Sequence, residues 1–150
     1  MQDRSSIAKS EAKFARYQNG KGYFARVSLT IEYPSTFLGI DFCCSGCGFF
    51  SQGYVEEVTA EGYTDWKAGA KAGVEFALSI AKILNCHVVI TKIEGLDITD
   101  TNPTIIGAAA ALAIWSALKF EPSKEVIHQL ETVVFSSWER SHEEIPIFLY

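Results

Sequence analysis

Residues 99–118 read Thr-Asp-Thr-Asn-Pro-Thr-Ile-Ile-Gly-Ala-Ala-Ala-Ala-Leu-Ala-Ile-Trp-Ser-Ala-Leu, and this stretch decides the fold. After Thr104 its only non-apolar residue up to Leu118 is Ser116. Asn102 suits the N-cap, where a side-chain oxygen accepts an orphan amide of the first turn. Pro103 then falls at the first helical position, where its missing N–H costs nothing. Asp100 puts negative charge beside the positive end of the helix dipole. A helix that is apolar all round must be covered on both sides. The run is shorter than the roughly 20 residues a bilayer span needs. It is also Ala-rich, and Lys119 closes it. A buried core helix is therefore expected, with no membrane partner.

Working backwards, residues 66–84 form a second expected helix, with Asp65 as its cap and Asn85 as its left-handed stop. Its apolar stripe is Trp66, Gly69, Ala70, Gly73, Phe76, Ala77, Ile80, Ala81 and Leu84, at spacings of three and four. The small residues early in that stripe predict close packing against the Ala-rich helix. Between the two helices, residues 87–93 read as a β-branched strand, and residues 94–100 as an acidic turn.

Strands dominate the first half of the chain. Residues 23–33 alternate cleanly: Tyr23, Ala25, Val27, Leu29, Ile31 and Tyr33 on one face, Phe24, Arg26, Ser28, Thr30 and Glu32 on the other. That pattern predicts an antiparallel strand with one wet side, ended by Pro34. Asn19-Gly-Lys-Gly22 is a hairpin turn, since Asn and Gly tolerate positive φ. A strand before it begins at Lys13, and residues 1–12 are expected to be a flexible N-terminus. Residues 37–44 give a third strand, with a short fourth strand or loop from 49 to 55. After Pro122, residues 123–138 form a third helix, whose stripe is Val126, Ile127, Leu130, Val133, Val134 and Trp138. The order predicts an α+β chain: a two-layer β-α sandwich with a mixed, mainly antiparallel sheet of about four strands and helices on one face. The 150 residues fit a single domain.

The net charge of −5 is unevenly spread. Residues 1–26 hold six basic residues against Asp3 and Glu11, while the remainder holds seven basic against sixteen acidic. An acidic body makes a poor polyanion binder, so only the N-terminal part suits RNA or the ribosome. Residues 1–10 lack the hydrophobic core of a signal peptide, which favours a cytoplasmic location and reduced cysteines.

Residues 13–33, Lys-Phe-Ala-Arg-Tyr-Gln-Asn-Gly-Lys-Gly-Tyr-Phe-Ala-Arg-Val-Ser-Leu-Thr-Ile-Glu-Tyr, resemble the opening of domain IV of translation elongation factor G. A short strand there also runs through a Gly-basic-Gly loop into a long alternating strand. Residues 66–84 resemble that domain's first helix, 87–93 its next strand, and the run from Asp100 its second helix. The resemblance covers residues 13–122, and Lys119-Phe-Glu-Pro122 stands where that domain hands over to the next. It implies the β-α sandwich shared with galactokinase-type enzymes and ribosomal-protein domains.

The departures bear on function. No Gly-x-x-x-x-Gly-Lys-Ser/Thr run is present. The loop before the second helix, Glu94-Gly-Leu-Asp-Ile-Thr-Asp100, lacks the His that the family usually carries at its tip. An extra segment lies around residues 47–63, and residues 123–150 have no counterpart in that domain.

Three groups of residues are candidates for function. Arg16, Asn19, Lys21, Tyr23 and Arg26 combine basic charge with stacking surface at the hairpin, the combination that binds RNA. Trp138 and the apolar tail Ile145, Ile147, Phe148, Leu149 and Tyr150 suit a protein partner or a homodimer. Cys44 and Cys47 have Cys-x-x-Cys spacing, which serves zinc or thiol exchange, but no second such pair completes a zinc site. Glu94, Asp97 and Asp100 are oxygen donors for a hard cation. No cofactor is expected. Packing and solvent explain the cysteines and acids as well, so the expected role is non-catalytic protein binding or self-association. RNA binding and thiol chemistry are the alternatives.

Overall fold

The computed structural model describes residues 6–49, 55–96 and 100–139. In chain order they form β1 (Ser6–Gln18), β2 (Lys21–Tyr33), β3 (Gly39–Phe42), β4 (Gly48–Phe49), β5 (Val55–Glu57), α1 (Thr64–Ala81), β6 (His87–Leu96), α2 (Pro103–Leu118), α3 (Lys124–Phe135) and a short turn of 3-10 helix, Ser137–Glu139. The strands make one sheet in the order β1-β2-β6-β5-β4, with β3 also paired to β6. The chain is an α+β sandwich of two layers.

β1 and β2 are a hairpin closed by Asn19 and Gly20, both at positive φ. Their pairing runs the full length of both strands, from Gln18 opposite Lys21 to Ser6 opposite Tyr33. The N-terminal strand thus starts at Ser6, and residues 6–12 are not a flexible tail. They pair along residues 27–33 of β2, a long-range partner that their polar composition does not reveal.

β6 is the central strand. It pairs antiparallel with β2 on one side. Its other side is shared, with β3 running parallel along His87–Ile90 and β5 antiparallel along Glu94–Leu96. Among the described residues the sheet has six strands: the four expected ones, β1, β2, β3 and β6, and two very short ones. The two extra ones, β4 and β5, are too short to show a periodicity. β6 also continues through Glu94 to Leu96, where a turn is expected from the sequence.

Tyr23, Ala25, Val27, Leu29 and Ile31 are buried beneath the helices, as their alternation requires. Tyr33, last in the series, lies exposed at the strand end.

α2 is covered on nearly every side: eleven of its residues are buried, including Ile105, Ile106, the run Ala108 to Ala111, and Ile114. Asn102 caps it, accepting from the Ile105 amide at 2.9 Å, and its own amide group donates to Ser137 Oγ at 2.9 Å. Lys119 closes the helix in the left-handed conformation.

α1 runs alongside in the same direction, with Gly69 facing Pro103 and Gly73 facing Gly107. A Cβ on Gly69 would stand 2.2 Å from the Pro103 carbonyl oxygen, and one on Gly73 would stand 1.9 Å from that of Gly107. Backbone touches backbone at both points. Trp115 fastens the far end, donating from Nε1 to the Ala77 carbonyl at 3.1 Å.

The ends of α1 differ from the expected ones. Asp65 lies in the first turn, and the capping position is Tyr63, left-handed and without a side-chain cap. Gly62 and Tyr63 turn the chain there, and Tyr63 is held by Glu56. At the other end the stop is Lys82, not Asn85. Leu84 consequently leaves the stripe and stands 88% exposed, while Val74 enters it.

Gly73→Ala is expected to cost about 3 kcal/mol, since a carbonyl cannot move aside as a side chain can. Ser116→Ala, at an exposed position of α2, should stay within about 0.5 kcal/mol of the parent. Urea unfolding of both variants measures the difference.

Candidate functional site

The hairpin residues do not form one patch. Tyr23 points beneath the helices, donating to the Phe135 carbonyl at 3.2 Å and meeting the Phe135 ring edge-on at 5.2 Å. Burial, aided by Glu139, pushes its phenol above the usual range. Arg26 lies on the opposite face of the sheet, 3.5 Å from Glu94 and 3.7 Å from Glu11. Arg16 shares the face of Tyr23 at the strand end, with its guanidinium 5.0 Å over Phe14. Lys21 and Asn19 are exposed at the turn. Alternation along β2 separates Tyr23 from Arg26, because three residues apart on a strand means opposite faces.

The acidic group is divided too. Glu94 belongs to β6, and its side chain is only 8% exposed. Lys92 approaches it to 2.9 Å, and that contact raises the Lys92 ammonium. Asp100 lies against Gly22, where a Cβ would come within 2.7 Å of the carboxylate. Asp97 lies outside the described residues. Glu94 therefore belongs to a charge ladder on the wet face with Arg26, Lys92 and Glu11.

Two of the four cysteines are inside and two outside. Cys44 is buried with its thiol 3.8 Å from the Ile90 carbonyl, and Cys86 is buried beside β6. Burial raises both thiols. Cys43 and Cys47 are exposed. Packing therefore accounts for Cys44 and Cys86, and solvent exposure for Cys43 and Cys47. Cys43 falls on the wet face by alternation, and Cys47 falls in the irregular segment before β4. Among the described residues no three His, Cys, Asp or Glu side chains converge in a metal-binding arrangement.

Trp138 is partly buried, and its Nε1 donates to the Gly22 carbonyl at 3.2 Å. The indole thus ties the end of the third helical segment to the hairpin of its own chain. Ile145, Ile147, Phe148, Leu149 and Tyr150 lie outside the described residues.

Two features went unread in the sequence. His87 and Asp41 meet at 2.7 Å across the parallel β3–β6 pair, with the Phe37 ring 6.5 Å from the imidazole. Forty-six residues separate them, and only the pairing of β3 with β6 brings them together. The second feature is a groove of about 570 Å³ between β3 and the end of α1, lined by Ile40, Leu78, Ile83, Leu84 and Cys86, with Glu75 and Lys82 at its charged margin. Phe37 and Leu38, both exposed, immediately precede the β3 residues that line it. The outward turn of Leu84 follows from the early helix stop at Lys82.

No family model and no curated protein matches this chain. Its fold is similar to part of a crystal structure from Thermus thermophilus, with a TM-score of 0.59 and 14% identity. The match covers 86% of this chain and 21% of that one, so the present chain spans about a fifth of that structure. At this identity the likeness shows the two-layer fold alone. Among the described residues no helix is long and apolar enough to cross a membrane.

At mildly alkaline pH a chromogenic disulfide reagent should titrate Cys43 and Cys47 quickly, and reach Cys44 and Cys86 only on unfolding. Counting fast and slow thiols in the native protein checks this. Burial and the bond to Glu56 push the Tyr63 phenol up to about 12. A raised pKa means the folded state holds its proton more tightly. That contribution to stability is therefore complete below about pH 10 and fades as the pH passes the folded value. Absorbance titration of the tyrosinates should show a late component that Tyr63→Phe removes.

Proposed function

We propose that this chain is a non-catalytic protein-binding domain of the elongation factor G domain IV type. The sequence resemblance over residues 13–122 supports that lineage, and the shared two-layer fold is compatible with it. The binding role rests on one observation: Leu84 stands exposed at a groove lined by Ile40, Leu78 and Ile83 at the end of α1, and exposed Phe37 and Leu38 lead into β3 beside it. Large apolar side chains gathered at a concave site mark a place where a partner excludes water.

The occupant we favour is an extended apolar segment of another protein. Among the described residues β3 pairs only with β6, so its second edge can accept a strand while the groove takes an apolar side chain. The RNA alternative draws on Arg16, Asn19 and Lys21, because Tyr23 is buried and Arg26 is paired with acids. The thiol alternative has one buried and one exposed member in Cys44 and Cys47, whereas exchange needs both within reach of a substrate.

Affinity capture from native lysate should recover a protein with the parent chain that Leu84→Asp and Phe37→Asp both lose, with far-UV circular dichroism unchanged. Equal recovery by parent and variants, or nothing recovered by the parent, overturns the groove reading. Binding of ribosomal RNA fragments followed by fluorescence anisotropy, abolished by Lys21→Glu, would favour the RNA alternative instead.

A further inference from the structure

The longest open edge of the described sheet is β1. Thirteen residues pair with β2 on one side and with no described strand on the other. An unpaired edge of this length is a template for another strand, and proteins usually blunt it. Here the edge is neither short, bulged nor interrupted by proline.

The closing turn settles which backbone groups face outward. A two-residue turn is flanked by a hydrogen-bonded pair, here Gln18 and Lys21. Alternation then gives the even-numbered residues of β1 to β2 and leaves the odd-numbered N–H and C=O groups on the free edge. Arg16 bears this out, since its guanidinium reaches the Ala15 carbonyl at 2.9 Å. The odd residues are also the wet-face ones: Ile7, Lys9, Glu11, Lys13, Ala15 and Tyr17.

We infer that the occupant of this edge is a second copy of the same chain, antiparallel, with the two-fold axis at Ala12. The strand runs from 6 to 18, so Ala12 is its midpoint and the whole edge pairs. In this register Glu11 of each copy lies opposite Lys13 of the other. Ile7 lies opposite Tyr17, and these are the two large apolar side chains that β1 exposes, at 68% and 78%. Both charge pairs and both apolar pairs are satisfied at once, and six outward-facing residues of each copy contribute hydrogen bonds, roughly twelve in all.

Neighbouring registers fail on charge. A two-residue slip one way sets Glu11 against Glu11 on the axis, and the other way sets Lys13 against Lys13. A one-residue slip opposes wet-face to helix-face residues. The pairing keeps the helical layers of both copies on one side of a continuous sheet. This interface uses the opposite edge from β3 and does not depend on the groove reading.

Sedimentation velocity of the full chain across a micromolar-to-millimolar range should show a species of twice 16.6 kDa. Lys13→Glu and Glu11→Lys should each weaken association about tenfold, because the symmetry repeats each like-charge clash twice. The exchanged double variant, Glu11→Lys with Lys13→Glu, should recover it. Ala15→Pro removes an N–H from the free edge without touching the β2 ladder, and should give a folded monomer. Leu84→Asp should leave the dimer unchanged. A monomer throughout the range, a dimer indifferent to the single reversals or to Ala15→Pro, no recovery in the exchanged variant, or a dimer lost through Leu84→Asp overturns the inference.

Discussion

The contact of α1 with α2 at Gly69 and Gly73 is the constraint on which the remaining structure depends. Two helices whose backbones touch cannot slide or rotate relative to one another without a clash. That fixed pair forms one wall of the core, and the sheet forms the other. The contact also explains the alanines. With large side chains on α2, the helices would stand too far apart for the Gly73 backbone to reach Gly107. Trp115, the bulky exception, sits beyond the close approach, where the helices have room for its ring against Phe76.

What happens at the ends of these helices then governs the surface. At the start of α2, Asn102 joins three elements: it caps the helix, reaches Ser137 after α3, and stands next to Thr101, whose hydroxyl donates to the Phe24 carbonyl at 2.7 Å and accepts from the Leu96 amide. Trp138 adds a fourth connection through Gly22. This end of the molecule is closed by polar side chains satisfied within the chain. At the other end, where α1 stops at Lys82, His87 and Asp41 pair on the wet face, while on the helix side the apolar groove opens. The asymmetry is physical: polar groups that find partners inside have little left to offer a partner outside, while exposed leucines and phenylalanine keep an unfavourable contact with water.

The wet face of the sheet follows a different logic. Its charges are arranged in opposed rows, with Glu11 beside Arg26, Arg26 beside Glu94, and Glu94 beside Lys92. Glu94 is shielded enough that losing both cations would strand a charge. Such a ladder agrees with the register of β1, β2 and β6 that the apolar face sets. It also consumes Arg26, which leaves the basic hairpin with less free charge than its composition suggests.

The sequence by itself determined the helix at 103–118, its Asn102 cap, the alternation of β2 and the small-residue match between α1 and α2. These are local periodicities or capping preferences, written within a few residues of where they act. It was silent on whatever required knowing a distant neighbour. The strand character of residues 6–12 comes from β2. The meeting of His87 with Asp41 comes from a parallel pairing across forty-six residues, and the separation of Tyr23 from Arg26 mattered only once the helices had taken a side. The groove depended on a single left-handed residue, Lys82, whose propensity gives no warning. Local patterns specify elements because their causes are local. The site arose from which edges and ends those elements left uncovered, and only the packed tertiary structure decides that.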